Sequence, residues 1–330
     1  SRAALKSRLT ARSPDGQQRI ASAIGELHRT FAAVDQDTLD AVRRVHVDVI
    51  LTALDQGLEG FRFPYGDVAV GSWRNTPYVV IQNVGAYLDI PRFLDSEHQV
   101  EVAADADAYL ARMEEYAAAL DGETERLQSA GAMGVIAPDF LVDKALGQMR
   151  LARSGDPATW GIVSSLSRRT MTMGGDYATR AARIATERIR PALDRQIAEM
   201  ERHRTRATSD AGVWKLPDGE GYYAWALRAG TTTQMSPDDV HQMGQEELRT
   251  LQAEMDTILK GLGYTQGTVG ARMTALGKDP RYLYPDTDAG RAEIMALLNR
   301  RVTEIRALMP RAFNTLVSGN VEVRRLPPEE

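Results

Sequence analysis

Apolar residues recur at intervals of three and four positions along most of this chain, and that spacing predicts α-helices. The first such run follows Ser13, Pro14 and Asp15, where serine is expected to cap the helix and proline to occupy its first position. Further helices are predicted over residues 37 to about 58, 137–151 and 177–203. Residues 100 to about 127 are predicted to form one long amphipathic helix or a broken pair of helices. Pro191 is expected to kink or break the helix at 177–203, because proline removes one backbone donor and clashes with the preceding turn. The chain is therefore predicted to be mainly α.

The clearest helix start lies at Ser236, which is followed by Pro237 and two aspartates at the positive end of the helix dipole. This helix carries an apolar stripe that we expect to be buried. The stripe comprises Val240, Met243, Leu248, Leu251, Met255, Ile258 and Leu262. A final helix is predicted from about residue 287 to 309, where Pro310 stops it.

Residues 59–95 interrupt the helical pattern. Glycine and proline recur there among aromatic residues, which predicts a long ordered loop with one short strand or helix near residues 78–84. Loops of this length inside a compact domain are often functional.

Residues 205–221 are polar and rich in Gly, Pro and Asp, so we place a boundary there. It divides the chain into an N-terminal helical region, 1–210, and a second helical region, 211–330. Residues 320–326 alternate between polar and apolar side chains, which indicates one short β-strand. Because a single strand needs a partner, the second region is predicted to be incomplete at its C-terminus.

Composition narrows the function classes. The net charge of −5 argues against a general nucleic-acid binder, and no run of about 18 apolar residues predicts a transmembrane helix. The chain has no cysteine, which excludes disulfides, thiolate catalysis and cysteine-ligated metals.

Motifs for catalysis are absent from the sequence. None of the five histidines lies within five residues of another, so no helix turn presents the pair that a His-Glu-x-x-His zinc site requires. The chain has no Gly-x-Ser-x-Gly elbow and no phosphate-binding loop. We therefore assign no catalytic residue and no metal ligand within this chain.

The segment from Tyr222 to Gly244 has two interpretations. It contains adjacent tyrosines, a tryptophan, an arginine and three consecutive threonines. The structural interpretation is a helix, a tight crossing and then the helix that begins at Ser236. The functional interpretation is a binding surface rich in hydroxyl groups.

This segment also resembles the signature of a bacterial family known as domain of unknown function 885. The resemblance rests on Leu216-Pro-Asp-Gly-Glu-Gly-Tyr-Tyr-Ala-Trp-Ala-Leu-Arg228 and Thr231-Thr-Thr-Gln-Met-Ser-Pro-Asp-Asp-Val-His-Gln-Met-Gly244. Pro91-Arg-Phe-Leu-Asp95 and Asp279-Pro-Arg281 follow the family's order as well. Members resemble gluzincin metallopeptidases, whose His-Glu-x-x-His motif would lie after Glu330.

The resemblance implies the N-terminal part of a gluzincin-like peptidase, a multi-helix array lining a deep cleft. Zinc would be the cofactor of the full-length protein and would activate water there. Residues of this chain would line the far wall of the cleft and contact a peptide substrate. The candidates are Tyr222, Tyr223, Arg228, Thr231, Thr232, Thr233 and His241. A tyrosine hydroxyl or the histidine would steady an oxyanion, and the arginine would hold a substrate carboxylate.

Two functions from different classes follow. In the first, the chain is part of a zinc-dependent peptidase, inactive alone, and its partner is the remaining C-terminal part of the same gene product. In the second, it is a non-catalytic helical protein that binds peptides or acts as a scaffold. Family members are often exported or lipid-anchored in bacteria, so the resemblance implies a location in the bacterial cell envelope, either periplasmic or lipid-anchored. Otherwise the chain would be cytoplasmic.

Overall fold

A computed structural model describes residues 5–71 and 75–324 of the chain, and within these residues it is helical with no β-strand. The helices are α1 (Pro14–Ala32), α2 (Ala41–Gly60), α3 (Ala86–Ser96), α4 (Ala103–Ala132), α5 (Asp139–Arg153), α6 (Gly161–Thr170), α7 (Tyr177–Ile184), α8 (Arg190–Arg206), α9 (Gly219–Thr231), α10 (Pro237–Gly261), α11 (Val269–Leu276) and α12 (Asp288–Leu308). The mainly α prediction is confirmed. The predicted strand at 320–326 is not present over 320–324, and Arg325 and Leu326 lie outside the described residues.

The chain divides into two compact units, Ser1–Pro237 and Asp238–Glu330. This division comes later than residue 211, where composition places a boundary. The difference arises because α9 packs against α2, which ties the segment after residue 211 to the first unit.

Helix α4 is the centre of the first unit, and it runs parallel to α7 and α8. Three ion pairs join the neighbouring helices along their length. They are Asp107–Arg180, Glu114–Arg188 and Asp121–Arg195. The acidic residues are seven positions apart, whereas the first two arginines are eight apart. The extra position falls in a single π-helical segment, Ala185–Ile189, between α7 and α8. This segment keeps the arginines in register with α4.

The π-helical segment ends two residues before Pro191, the residue at which the sequence predicts an interruption. Proline has no N–H and cannot continue the α-helical hydrogen-bond pattern at this point. The predicted interruption is thus confirmed as a local widening of the helix.

The predicted loop 59–95 is shorter than expected, because residues 86–96 form α3 with Pro91 inside it. Proline at this position leaves the carbonyl of Tyr87 without its usual helical donor. The hydroxyl of Tyr116 on α4 donates to that carbonyl at 3.3 Å, in a buried position. A contact distant in sequence therefore lets the helix continue through a proline.

The remaining loop, 61–85, is held by two isolated β-bridges, Asp67 to Thr76 and Ile81 to Val84. The second bridge is the only regular feature of residues 78–84, where the sequence predicts a short strand or helix. Gly85 then begins α3 with a φ of 135°, a conformation that favours glycine.

A buried carboxylate holds the start of α3 in place. Glu123 on α4 is 1% exposed and accepts a hydrogen bond from the Ala86 N–H at 2.9 Å. Arg12 Nη1 donates to the same carboxylate at 2.7 Å, and Gln196 Nε2 of α8 donates at 3.2 Å. Burial raises the pKa of Glu123, and the Arg12 charge and these hydrogen bonds oppose the rise. One side chain thus joins α3, α4, α8 and the segment before α1.

The second unit is built differently. Arg272 on α11 is buried, forms an ion pair with Asp256 of α10 and donates to backbone oxygens of Tyr264 and Thr268. Leu259 is the single buried residue of α10. The expected burial of the α10 stripe is therefore wrong: Met243, Leu248, Leu251, Ile258 and Leu262 are between 44% and 62% exposed. Periodicity identifies the apolar face of a helix but does not show that this chain covers it.

Two glycines in helices provide a matched test of packing in the first unit. A Cβ at Gly122 of α4 would stand 2.7 Å from the Ser13 nitrogen, whereas a Cβ at Gly147 of α5 would meet nothing within 4 Å. We expect Gly122→Ala to lower the free energy of unfolding by about 1–3 kcal/mol through overpacking. Gly147→Ala should raise it by about 0.5–1 kcal/mol through helix propensity. Denaturant titration measures both, and equal effects would contradict the close approach at Gly122.

The buried His98 generates a pH prediction. Arg112 Nη1 lies 2.6 Å from His98 Nδ1, and His98 Nε2 lies 3.0 Å from the Asp105 carbonyl oxygen. Because arginine is a donor only, the ring accepts at Nδ1, donates at Nε2 and is neutral. Burial lowers the pKa of His98, the charges of Arg112 and Arg169 lower it further, and the Asp105 carbonyl and carboxylate oppose this.

We expect stability to fall as the pH drops below about 6.5, because the unfolded chain then binds a proton that folded His98 excludes. Buried His203 acts in the same direction, since burial lowers its pKa too. Denaturant titrations at about pH 7 and about pH 5.5 should show the loss, and His98→Gln should reduce it. An unchanged pH dependence in this variant would show that His98 is not responsible.

Candidate functional site

Helix α9 carries most of the candidate residues, and an aromatic cluster fixes its position. Tyr222 and Trp225 of α9 pack with Phe63 and Tyr65 of the 61–85 loop, with ring centroids 5.2–5.6 Å apart for Phe63–Tyr222, Phe63–Trp225, Tyr65–Tyr222 and Tyr222–Trp225. Such offset and edge-to-face pairs add to the stabilisation from burial. The loop and α9 therefore form one packed structure.

Trp225 also joins α9 to α2. Its indole Nε1 donates to the Gln56 carbonyl oxygen at 2.8 Å, and its ring lies directly against Gly60. A Cβ at Gly60 would stand 2.2 Å from Trp225 Cζ2, so this approach requires glycine. Tyr65 completes the attachment, because its hydroxyl donates to the Pro217 carbonyl oxygen at 2.7 Å just before α9 begins.

The two adjacent tyrosines of α9 face opposite environments. Tyr222 is 4% exposed within the aromatic cluster, and burial raises the pKa of its hydroxyl. Tyr223 is 48% exposed. Of this pair, Tyr223 is the residue whose hydroxyl a substrate could reach.

Arg228 forms an ion pair with Glu59 of α2 in a partly exposed position. Gln56 supports the same contact, since its Nε2 donates to the Arg228 carbonyl oxygen at 3.3 Å. A carboxylate that bound Arg228 would therefore have to share the guanidinium with Glu59 or displace it. The planar guanidinium has enough donors for both.

The three threonines end α9 in an exposed turn. Thr231 Oγ1 donates to the Leu227 carbonyl oxygen at 2.8 Å and lies 3.0 Å from Thr233 Oγ1. Thr232 has a φ of 55°, which is unusual for a β-branched residue. His241 belongs to α10 in the second unit, where it is exposed and its Nε2 lies 2.8 Å from Gln245 Nε2.

The structure therefore groups six of the seven candidates on α9 and the turn that follows it. His241 lies in the other compact unit. Sequence reasoning missed Glu59 and Tyr65 as neighbours of these residues. The aromatic residues interleaved in 59–95 could have pointed to Tyr65. No sequence pattern points to Glu59.

A zinc ion does not fit the residues that the structure describes. Among them, no group of three or more His, Cys, Asp or Glu side chains is arranged to hold a metal. We therefore derive no catalytic step through zinc in this chain.

The fold is that of a helical protein with a known structural relative. The chain is similar to "the putative lipoprotein from Colwellia psychrerythraea", whose crystal structure matches with a TM-score of 0.90 at 25% sequence identity. The match covers 98% of this chain and 56% of that chain, so this chain spans little more than half of that protein's length.

The family is shown by sequence. A model described as "Bacterial protein of unknown function (DUF885)" matches residues 2–330, and the chain belongs to this family. No curated protein matches the chain. Within the described ranges, no helix combines the length and the apolar character needed to cross a membrane.

The contact between Gly60 and Trp225 gives a test of how α9 is positioned. We expect Gly60→Ala to displace the indole and to lower the free energy of unfolding by about 1–3 kcal/mol. Near-ultraviolet circular dichroism of the aromatic cluster should weaken at the same time. Gly25→Ala on α1 is the matched control, because the nearest atom to its Cβ would be at 3.7 Å. A near-native aromatic signal in Gly60→Ala would mean that this contact does not fix α9.

Proposed function

We propose that this chain is the N-terminal helical part of a zinc-dependent peptidase of the DUF885 family and that it forms one wall of the substrate cleft. In this proposal, the chain alone is inactive. The observation that carries the proposal is the uncovered apolar face of the second unit. Large exposed apolar patches usually mark contact surfaces.

Exposed apolar side chains occur on both long helices of that unit. On α10 they include Met243, Leu248, Leu251 and Ile258, and on α12 they include Leu298, Ile305 and Leu308. A unit with Leu259 as the single buried residue of its longest helix has little apolar core of its own. Further polypeptide packed on these side chains would supply one.

The similarity to a protein of nearly twice the length agrees with this interpretation. The lipoprotein from Colwellia psychrerythraea has 44% of its chain outside the match, the complement of the 56% that is covered. We propose that the corresponding part of this protein contacts these exposed side chains on α10 and α12 and carries the metal centre. The lipoprotein description also supports a location in the bacterial cell envelope.

The accessible candidate residues would bind the substrate and would not bind the metal. Tyr223 is exposed and offers a hydroxyl donor, and Arg228 offers a guanidinium that Glu59 holds in place. Arginine binds carboxylates in a bidentate geometry. In this role Arg228 would bind a peptide carboxylate, and Tyr223 would donate a hydrogen bond nearby.

The proposal is tested by reading the gene past the codon for Glu330 and expressing the longer product. We expect it to hydrolyse peptides in a chelator-sensitive manner, and we expect the 330-residue chain to show no turnover with or without zinc. A longer product without peptidase activity, or an equally active 330-residue chain, would contradict the proposal. If the 330-residue chain binds peptides without hydrolysing them and no longer product exists, the scaffold function is the correct one.

A pair of substitutions tests the apolar face within the longer product. Leu251→Glu on α10 should lower the thermal stability of the second unit, because a charge would be buried in the contact. Leu151→Glu on α5 is the control, since Leu151 is strongly exposed in the well-packed first unit and should tolerate the charge. Equal tolerance of both substitutions would argue against a covered face.

A further inference from the structure

Helix α2 of the first unit has apolar residues on two opposite faces. The helix packs against α1, and Val47 and Leu54 are both 7% exposed. On another face, Val42, Val45 and Val49 are between 59% and 65% exposed. A helix in a globular protein buries its apolar face, and a helix that is apolar on further faces is typically buried on those as well. The three exposed valines therefore indicate a second contact of α2.

The exposed valines belong to a stripe that runs the length of α2. At 3.6 residues per turn, positions 42, 45, 49, 53, 56 and 60 lie within about 80° of one another around the helix axis. Val47 lies about 160° from the middle of this stripe, on the opposite side of the helix. The valines and the residues at 53, 56 and 60 thus form one continuous face.

The second half of this stripe is covered by α9 and the 61–85 loop. Ala53 lies beside Gly71 of the loop, where a Cβ on the glycine would be 3.7 Å from Ala53 Cβ. Gln56 Nε2 donates to a backbone oxygen of α9 at 3.3 Å. Gly60 lies directly against the Trp225 ring. The exposed valines therefore continue an interface that already exists on the same face of α2.

The small size of the valine face favours a segment of the same polypeptide over a second copy of the chain. A stable interface between two proteins buries roughly 800 Å² on each partner. Three valine side chains offer less than this, since even a buried aromatic side chain contributes only about 150–250 Å². A tethered segment needs a smaller contact, because its effective concentration at the surface is high.

Further polypeptide is present in the structural relative. The lipoprotein from Colwellia psychrerythraea has 56% of its chain within the match, and the complement of 44% lies outside it. A remainder of this size is large enough to contact more than one surface of the matched part.

We propose that polypeptide following Glu330 in the longer product packs on the face of α2 formed by Val42, Val45 and Val49, and that it extends the packing of α9 along this helix. The face contains no charged residue, so the contacting segment is apolar. Because Glu59 of α2 forms an ion pair with Arg228, this contact would brace the helix that holds a candidate substrate residue. The inference rests on the proposed function only for the existence of the longer product, and it does not depend on peptidase activity.

A single thiol introduced into α2 tests the proposal, since this chain has no cysteine of its own. We expect Val45→Cys to react with a maleimide about tenfold or more slowly in the longer product than in the 330-residue chain, because a covered thiol reacts only when its contact opens. Arg44→Cys is the matched control. Arg44 is exposed on the same helix, about 140° from the middle of the stripe, and this variant should react at nearly the same rate at both lengths. Mass spectrometry of the peptides that contain residues 44 and 45 assigns each reaction to its site.

Equal labelling of Val45→Cys at both lengths would overturn the proposal, and so would equal slowing of both variants. Labelling of the 330-residue chain that slows as its own concentration rises would also overturn it, since a second copy would then cover the face. Peptidase assays on the same samples separate this inference from the proposed function. Protection without turnover supports the contact and contradicts the peptidase, whereas turnover without protection does the reverse.

Discussion

The buried carboxylate of Glu123 is the interaction on which the first unit depends. A carboxyl group in the core must be hydrogen-bonded, and here the partners come from three other segments: Arg12, the Ala86 N–H and Gln196. These hydrogen bonds hold the segment before α1, the start of α3 and α8 in place against α4. Loss of Arg12 would leave the Glu123 carboxyl group buried without its oppositely charged partner.

The packing of the first unit determines which of the candidate residues are accessible. The 61–85 loop leads into α3, which Glu123 holds, and the same loop packs Tyr65 and Phe63 on α9. The aromatic contacts turn Tyr222 inward and leave Tyr223 outside. Arg228 is held by Glu59 on α2, which in turn contacts α9 through Trp225. The accessible chemistry of α9 is therefore set by residues distant from it in sequence.

Sequence reasoning predicted the helical class, most helices of the first unit and the interruption at Pro191, because these follow from local periodicity and backbone chemistry. It did not predict that α3 continues through Pro91, since the Tyr116 hydroxyl that satisfies the freed carbonyl comes from another helix. It also could not separate Tyr222 from Tyr223, which differ by one position but face opposite sides of α9. The expected burial of the α10 stripe was wrong for a similar reason. A sequence pattern shows which face of a helix is apolar, but it does not show which segment covers that face.

The central claim is that further polypeptide packs on the apolar face of the second unit. Hydrogen exchange of the 330-residue chain, followed by mass spectrometry, tests it most directly, because protection reports local stability. The account predicts that amides of α10 and α12 exchange far faster than those of α4 and α8, whose side chains form the core of the first unit. Protection of α10 equal to that of α4 would show that the second unit is stable with its apolar face open to solvent, and would contradict the account.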